Sequence, residues 1–261
     1  MTADNNSSEY NKENTYKEIF ANSIDAVYEI LISRGDKMNA LTDAMYGALV
    51  MHLQAAEQDP SIKVIIIRSD NKHFSAGNDL ADFLESEFNQ DSNVIQFLRT
   101  MAMLTKPIIA AVGGASVGIG VTMLLHCDWV VACEDTKFSV PFIKLGLTPE
   151  GGSSRLLAQR CGTARAHDWL LTGRTFLAEE ALASGLVNKT SVTIESTWDD
   201  ALSMAKGLCK SSLRVLTDTK ALLKADEVDS VLSLMEKEAK VFASALKTTE
   251  CQNAFNAFLN K

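Results

Sequence analysis

The chain predicts an α/β body followed by a helical C-terminal region, and three observations carry that reading. Between about residues 24 and 192, short apolar runs alternate with segments of helical spacing. From Thr197 onward the helical spacing continues with no strand signal. No fixed-period repeat and no Pro/Gly/Ser-rich linker divides the 261 residues, so they read as one folded unit. The boundaries expected are an extension over 1–17, an α/β core over 18–196 and a helical region over 197–261.

Taken in order, residues 1–17 are polar and read as a disordered extension. Strands are expected from Ile24 to Ile32, where apolar and polar residues alternate, with a turn near Ser23-Ile24-Asp25. Arg34-Gly35-Asp36-Lys37 is a turn. Thr42 caps a helix through about Glu57, because Met45, Leu49, Leu53 and Ala56 recur at helical spacing; Asp59-Pro60-Ser61 breaks it. Val64-Ile65-Ile66-Ile67-Arg68 is a buried strand. The spacing predicts a helix over 92–105, ended by Lys106-Pro107, and then a strand from Ile108 to Val112. Val121 to His126 reads as a short helix, apolar nearly all round and therefore buried.

Strands Trp129 to Ala132 and Lys137 to Val140 flank a turn at Glu134-Asp135. Pro149 and Glu150 open a helix that runs from about Gly152 to Arg160, closed by Cys161-Gly162. Helices follow over 164–171 and 178–184, the second stopped by Gly185, and Leu186 to Val192 is the last strand. The remaining helices are expected over about 198–208, 211–223, 228–245 and 249–259.

Composition bounds the function. With 46% hydrophobic and 22% charged residues this is an ordinary globular chain. A net charge of −8 argues against nucleic acid or an anionic membrane as partner, but not against an anionic ligand held by a few local cations. Cys127, Cys133, Cys161, Cys209 and Cys251 show no metal-ligand spacing and read as buried free thiols in a reducing compartment. No apolar run reaches membrane-spanning length, no signal-peptide pattern opens the chain, and Leu259-Asn260-Lys261 is not a peroxisomal address. A cytoplasmic location is the expectation.

Two stretches carry chemistry. Phe74-Ser75-Ala76-Gly77-Asn78-Asp79-Leu80 joins the strand ending at Arg68 to a helical pattern at Leu80, Phe83 and Leu84. Glycine there lets successive N–H groups face outward, and such a nest at a helix start holds negative charge. Alone, this is an ordinary βα turn. Gly113-Gly114-Ala115-Ser116-Val117-Gly118-Ile119-Gly120 repeats the arrangement between another strand and another helix. Two such loops can supply one N–H each to a single oxygen, an oxyanion hole.

On these residues the chain resembles the enoyl-CoA hydratase/isomerase (crotonase) superfamily. The match covers Phe74 to Leu80, Lys106-Pro107 through Asp128, and Pro141 through Arg155, with weaker matches at Lys37 to Leu41, Leu171 to Gly173 and Ala183 to Val187. Ser75 to Leu80 and Leu147 to Ser154 are most similar to Δ3-Δ2-enoyl-CoA isomerases of the peroxisomal type. The resemblance covers roughly residues 25 to 260. It implies a spiral of ββα turns and a C-terminal region used for a homotrimer or dimer of trimers. It implies an acyl-CoA thioester substrate, with CoA as part of the substrate and no metal or separate cofactor. It also implies oxyanion donors at the N–H groups of Asn78 and Ile119, and substrate contacts from Ser75, Ala76, Gly77, Asp79, Leu80, Gly118 and Phe142. Adenine is expected near Ala76 and CoA phosphates near Lys72 and Lys37; either lysine alone reads equally well as a solvated surface charge.

Hydratases of this family use two glutamates, at positions where this chain has Thr122 and Phe142. Neither can activate a water as paired carboxylates do. Glu150 remains as the acid/base. Burial near Leu145 and Leu147 would raise its pKa toward neutrality, whereas a helix start would lower it, and the sequence does not decide between them. The resemblance implies a one-base shuttle of a proton by Glu150. Rival readings are hydration and a non-catalytic acyl-CoA-binding module.

The other candidates read as structural. His126 sits in an apolar stretch as a core histidine, His73 as a solvent-facing turn residue, and His52 and His167 on helices with no partner in sequence. Ser75 lies outside a Gly-x-Ser-x-Gly pattern, and Asp79 fixes its own loop. Phe255 and Phe258 read as core or subunit contacts.

Overall fold

The computed structural model describes residues 18–85, 88–89, 91–225 and 227–259; the polar extension expected over 1–17 lies outside them. β1 (Ile19–Ile24) and β2 (Val27–Ile32) form an antiparallel hairpin turned at Asp25. α1 (Asp43–Gln58) starts at the expected cap, where the Thr42 hydroxyl accepts the Met45 N–H. β3 (Val64–Ser69), α2 (Leu80–Glu85), α3 (Asn93–Met103) and β4 (Ile108–Val112) follow, then β5 (Ala115–Val117) and the one-turn α4 (Ile119–Thr122). After them come β6 (Trp129–Cys133), β7 (Lys137–Ser139), α5 (Ser153–Cys161), α6 (Thr163–Thr172), β8 (Thr175–Leu177), α7 (Ala178–Ser184) and β9 (Lys189–Ser191). The chain closes with α8 (Ile194–Leu208), α9 (Leu213–Leu223), α10 (Val228–Leu246) and α11 (Thr249–Leu259).

The strands form two sheets. The larger has six strands in the order β1-β2-β3-β4-β6-β9, parallel from β2 onward; the smaller has the order β5-β7-β8. From β4 the chain steps between them: β4 large, β5 small, β6 large, β7 and β8 small, β9 large. This is a crotonase-like ββα spiral. The β3 run Val64–Ile67 is apolar at every position because the large sheet is covered on both faces. Ile65 and Ile67 face the main core with α1 and α3, while Val64 and Ile66 meet Ala201 and Ala205 of α8. The small sheet is packed by a stack in which Phe176 lies 3.7 Å from Trp169 and 5.6 Å from Phe138.

Several expected boundaries move. The helix expected over Val121–His126 is α4 followed by a 3-10 turn, Met123–His126. β6 and β7 flank their turn but belong to different sheets, so they make no hairpin. The strand expected over Leu186–Val192 contracts to β9, and β5 and β8 were not anticipated. Pro149 and Glu150 do not open α5: Gly151 and Gly152 take left-handed φ of 67° and 77°, and the helix starts at Ser153. Glu150 therefore sits in a loop.

Candidate active site

The two glycine loops lie side by side. Phe74 and Ser75 donate their amides to the carbonyls of Gly113 (2.9 Å) and Ala115 (3.0 Å), and Val117 returns its amide to the Ser75 carbonyl (2.9 Å). The first loop is also clamped from its other side. Ala76 donates to the Met38 carbonyl (2.9 Å), Leu41 to Gly77 (2.8 Å), and Asp79 to Leu41 (2.9 Å). Gly77, at φ 94°, is required here, because a Cβ would stand 3.0 Å from the Val117 carbonyl oxygen. In the second loop Gly118 donates to Ser139 (2.9 Å) and takes φ 56°, turning the chain into α4.

These bonds use the amides of Asp79 and Gly118, each next to one of the two expected donors. Among the described residues, no acceptor is recorded for the N–H of Asn78 or of Ile119. Ile119 is the first residue of α4, where a helix amide has no partner of its own. Asn78 is steadied through its side chain, which accepts the hydroxyl of the buried Tyr46 from α1.

α4 connects these donors to Glu150. Its first residue is Ile119; its last, Thr122, donates its hydroxyl to Glu150 Oε1 at 2.5 Å. Glu150 is 6% exposed, and its Oε2 has no hydrogen-bond partner among the described residues. Burial pushes its pKa up to about 8, with the Thr122 hydrogen bond opposing and the charge of Glu238 adding. It lines a cavity of about 10 Å³, room for about one water. The other walls are Ile95, Leu98 and Arg99 of α3, Gly151, and Met235, Glu236 and Ala239 of α10. Arg99 and Glu236 pair at 3.4 Å.

The remaining expected contacts fall as follows. Ser75 is fully buried, its hydroxyl donating to the Asn39 carbonyl and accepting the Gly77 amide, so its side chain serves the loop. Asp79 accepts from Arg34 at 2.7 Å and from the amides of Ala81 and Asp82, fixing its loop and the start of α2. Ala76, Leu80 and Gly118 are half-buried, and Phe142 is buried. Lys37 is exposed, and Lys72 is exposed with a single contact to Asp135 at 3.7 Å.

One histidine reading needs correction. His73 is half-buried and its Nδ1 accepts the Ala115 amide, tying the two loops together. His52 has a partner, the Tyr28 hydroxyl at 2.9 Å. His126 is the expected core residue; its Nε2 lies 2.8 Å from the Gly151 carbonyl, and burial lowers its pKa to about 4. The cysteines are free, with Cys209 half-buried and the others buried. Phe255 is buried and Phe258 is exposed.

Sequence reasoning missed Tyr46 and Glu238. Both are carried on helices remote in sequence from the residues they touch, and neither lies in a motif.

Residues 22–261 match the family model described as enoyl-CoA hydratase/isomerase. The chain is 32% identical to enoyl-CoA delta isomerase 2 of Rattus norvegicus over 94% of its own length, and spans 64% of that protein's length. It is 30% identical to 2,3-dehydroadipyl-CoA hydratase of Escherichia coli, over 94% of this chain and 96% of the other. Its fold superposes on the structure of Pseudomonas aeruginosa OdaA with a TM-score of 0.92 at 34% identity, covering 94% of this chain and all of that one.

Proposed function

The chain belongs to the enoyl-CoA hydratase/isomerase family, and from that premise we propose that it is a Δ3-Δ2-enoyl-CoA isomerase using Glu150 as its one acid/base. The observation that carries this reading is a buried carboxylate with one unpartnered oxygen among the described residues, lining a small cavity with mostly apolar walls. Its neighbour is a hydroxyl, Thr122, rather than a second carboxylate.

The steps follow from that arrangement. The thioester oxygen of a 3-enoyl-CoA accepts the N–H groups of Asn78 and Ile119. Ionised Glu150 takes a proton from C2, and the electron pair moves into a dienolate whose oxygen those amides hold. One such donor is worth roughly 2.7–4 kcal/mol in hydrolases of comparable design. Protonated Glu150 then returns the proton to C4, the double bond settles at C2–C3, and the carboxylate is regenerated. A base with a pKa of about 8 suits both halves, since it must take and give a proton near neutrality. Hydration would require a water held between two carboxylates. Here the positions of those carboxylates carry Thr122 and Phe142.

Lys72 and Lys37 are the cations on the first-loop side that would meet the CoA phosphates. No step calls for a metal or a separate cofactor. The test is a parallel assay of 3-enoyl-CoA and 2-enoyl-CoA on wild type and Glu150→Gln. The expected result is isomerisation that falls by about 1,000-fold in the variant, with little hydration in either. Hydration as the main wild-type activity would overturn the isomerase reading. Tight binding of CoA esters without turnover would point to a binding module.

A further inference from the structure

Glu238 is a buried carboxylate, 8% exposed, that the reaction above does not use. It projects from α10 onto the first residues of α5. Its Oε2 accepts the Gly152 amide at 2.6 Å, and its Oε1 accepts the Ser154 amide at 3.0 Å and the Ser154 hydroxyl at 2.5 Å. Three donors on one carboxylate, two of them at a helix start, favour its charged form and oppose the upward push of burial.

This resolves the conflict posed by the place of Glu150 in sequence. A carboxylate just ahead of a helix ordinarily turns onto the open amides and becomes a stronger acid. Glu150 stands just ahead of α5 and does not do so: its one recorded partner is Thr122, and its Oε2 has none among the described residues. The donors it would take are filled from another helix. We propose that Glu238 is a positioning residue for Glu150: by occupying the amides and hydroxyl at the start of α5, it leaves the Glu150 carboxyl turned into the cavity between α3 and α10 with one oxygen free for the substrate proton. The proposal rests on the reading of Glu150 as the acid/base.

Electrostatics act in the same direction. Burial raises Glu150 most, the Thr122 hydrogen bond opposes, and the Glu238 charge raises it further. Glu238 is itself raised by burial, against its bonds to Ser154 and Gly152 and the charge of Arg155. The other groups facing Glu150 are Tyr46 of α1, Arg99 of α3 and Glu236 of α10 at the cavity, and neutral His126 behind Gly151. Arg99 is engaged by Glu236, so Glu238 is the charge that acts on the base from the side of α5.

The test is the pH dependence of kcat/KM for 3-enoyl-CoA isomerisation in wild type, Glu238→Gln and Glu238→Asp, with Glu150→Gln as control and a thermal melt of each. The acid limb reports ionisation of the base. In Glu238→Gln it is expected to move to lower pH by about one unit, and in Glu238→Asp to move less in the same direction. A limb that stays at its wild-type position in Glu238→Gln, with only the melting temperature lowered, would reduce Glu238 to a helix cap and overturn the proposal. If Glu238→Gln does not fold, Glu238→Asp decides by the same criterion. Wild-type activity in Glu150→Gln would instead remove the assignment of the base, whereas an inactive control with unmoved limbs removes the role of Glu238 alone.

Discussion

Glu150 holds its proton in the folded state at pH values where the unfolded chain has released it, since its pKa rises from 4.5 to about 8. Between those values folding takes up a proton, so stability falls as pH rises, and the penalty is complete above the folded pKa. At about 1.4 kcal/mol per pH unit the full effect is on the order of several kcal/mol. Glu150→Gln removes it, because an amide does not ionise. The variant should melt close to wild type near about pH 5 and above it near about pH 9. A gap that does not widen with pH would mean the carboxyl is solvated in the folded protein. Thr122 acts on the same group in the other direction. Its hydroxyl lowers the Glu150 pKa, so Thr122→Val, similar in size but without the donor, should move the acid limb of isomerisation to higher pH. That is opposite in sign to the shift expected for Glu238→Gln, and the same pH profiles measure both.

The loops after β3 and β4 hold the candidate oxyanion donors as a matched pair. Gly77→Ala would combine a left-handed φ of 94° with a contact at 3.0 Å to the Val117 carbonyl, which lies just ahead of Ile119. Gly118→Ala meets nothing within 4 Å, so only its backbone conformation is strained. We therefore expect Gly77→Ala to lose more kcat, by about 100-fold for one displaced donor, than Gly118→Ala in the same isomerase assay. Equal losses would mean that loop strain alone governs the donors. These loops were legible in sequence because glycine between a long apolar strand and a helical pattern has few other uses; β3 and β4 themselves stand out as runs that need burial on both faces. The three-residue strands β5 and β8 are too short to show a period, and pairing across remote segments decides which sheet β7 joins. Pro149 read as a helix opener, but two left-handed glycines after Glu150 delay α5 to Ser153, and that delay frees the carboxylate from the helix start. Tyr46 and Glu238 left no signal because a contact between distant helices imposes no spacing on either.

At the scale of the whole molecule, the C-terminal helices differ in how they pack on the α/β body. α8 covers the large sheet through Ala201 and Ala205, and α10 walls the Glu150 cavity. α9 differs: the residue it buries is Lys220, whose Nζ donates to the Lys106 carbonyl at 2.8 Å and to Asp128 at 2.6 Å. Leu213 and Leu216 are half-buried, but Val215, Leu222 and Leu223 are exposed, the two leucines at 79% and 78%. A helix pinned by one polar anchor while it presents adjacent leucines to water gains little from its own fold. Each leucine contributes about 1.5–3 kcal/mol when buried, and we propose that a second copy of the chain covers them. The homotrimer or dimer of trimers expected from the sequence gives the number to test. We expect the wild-type chain to sediment at three times its monomer mass or a multiple of that, and the double variant Leu222→Glu, Leu223→Glu to shift toward monomer without losing its circular dichroism. A wild-type monomer at micromolar concentration would overturn self-association through α9.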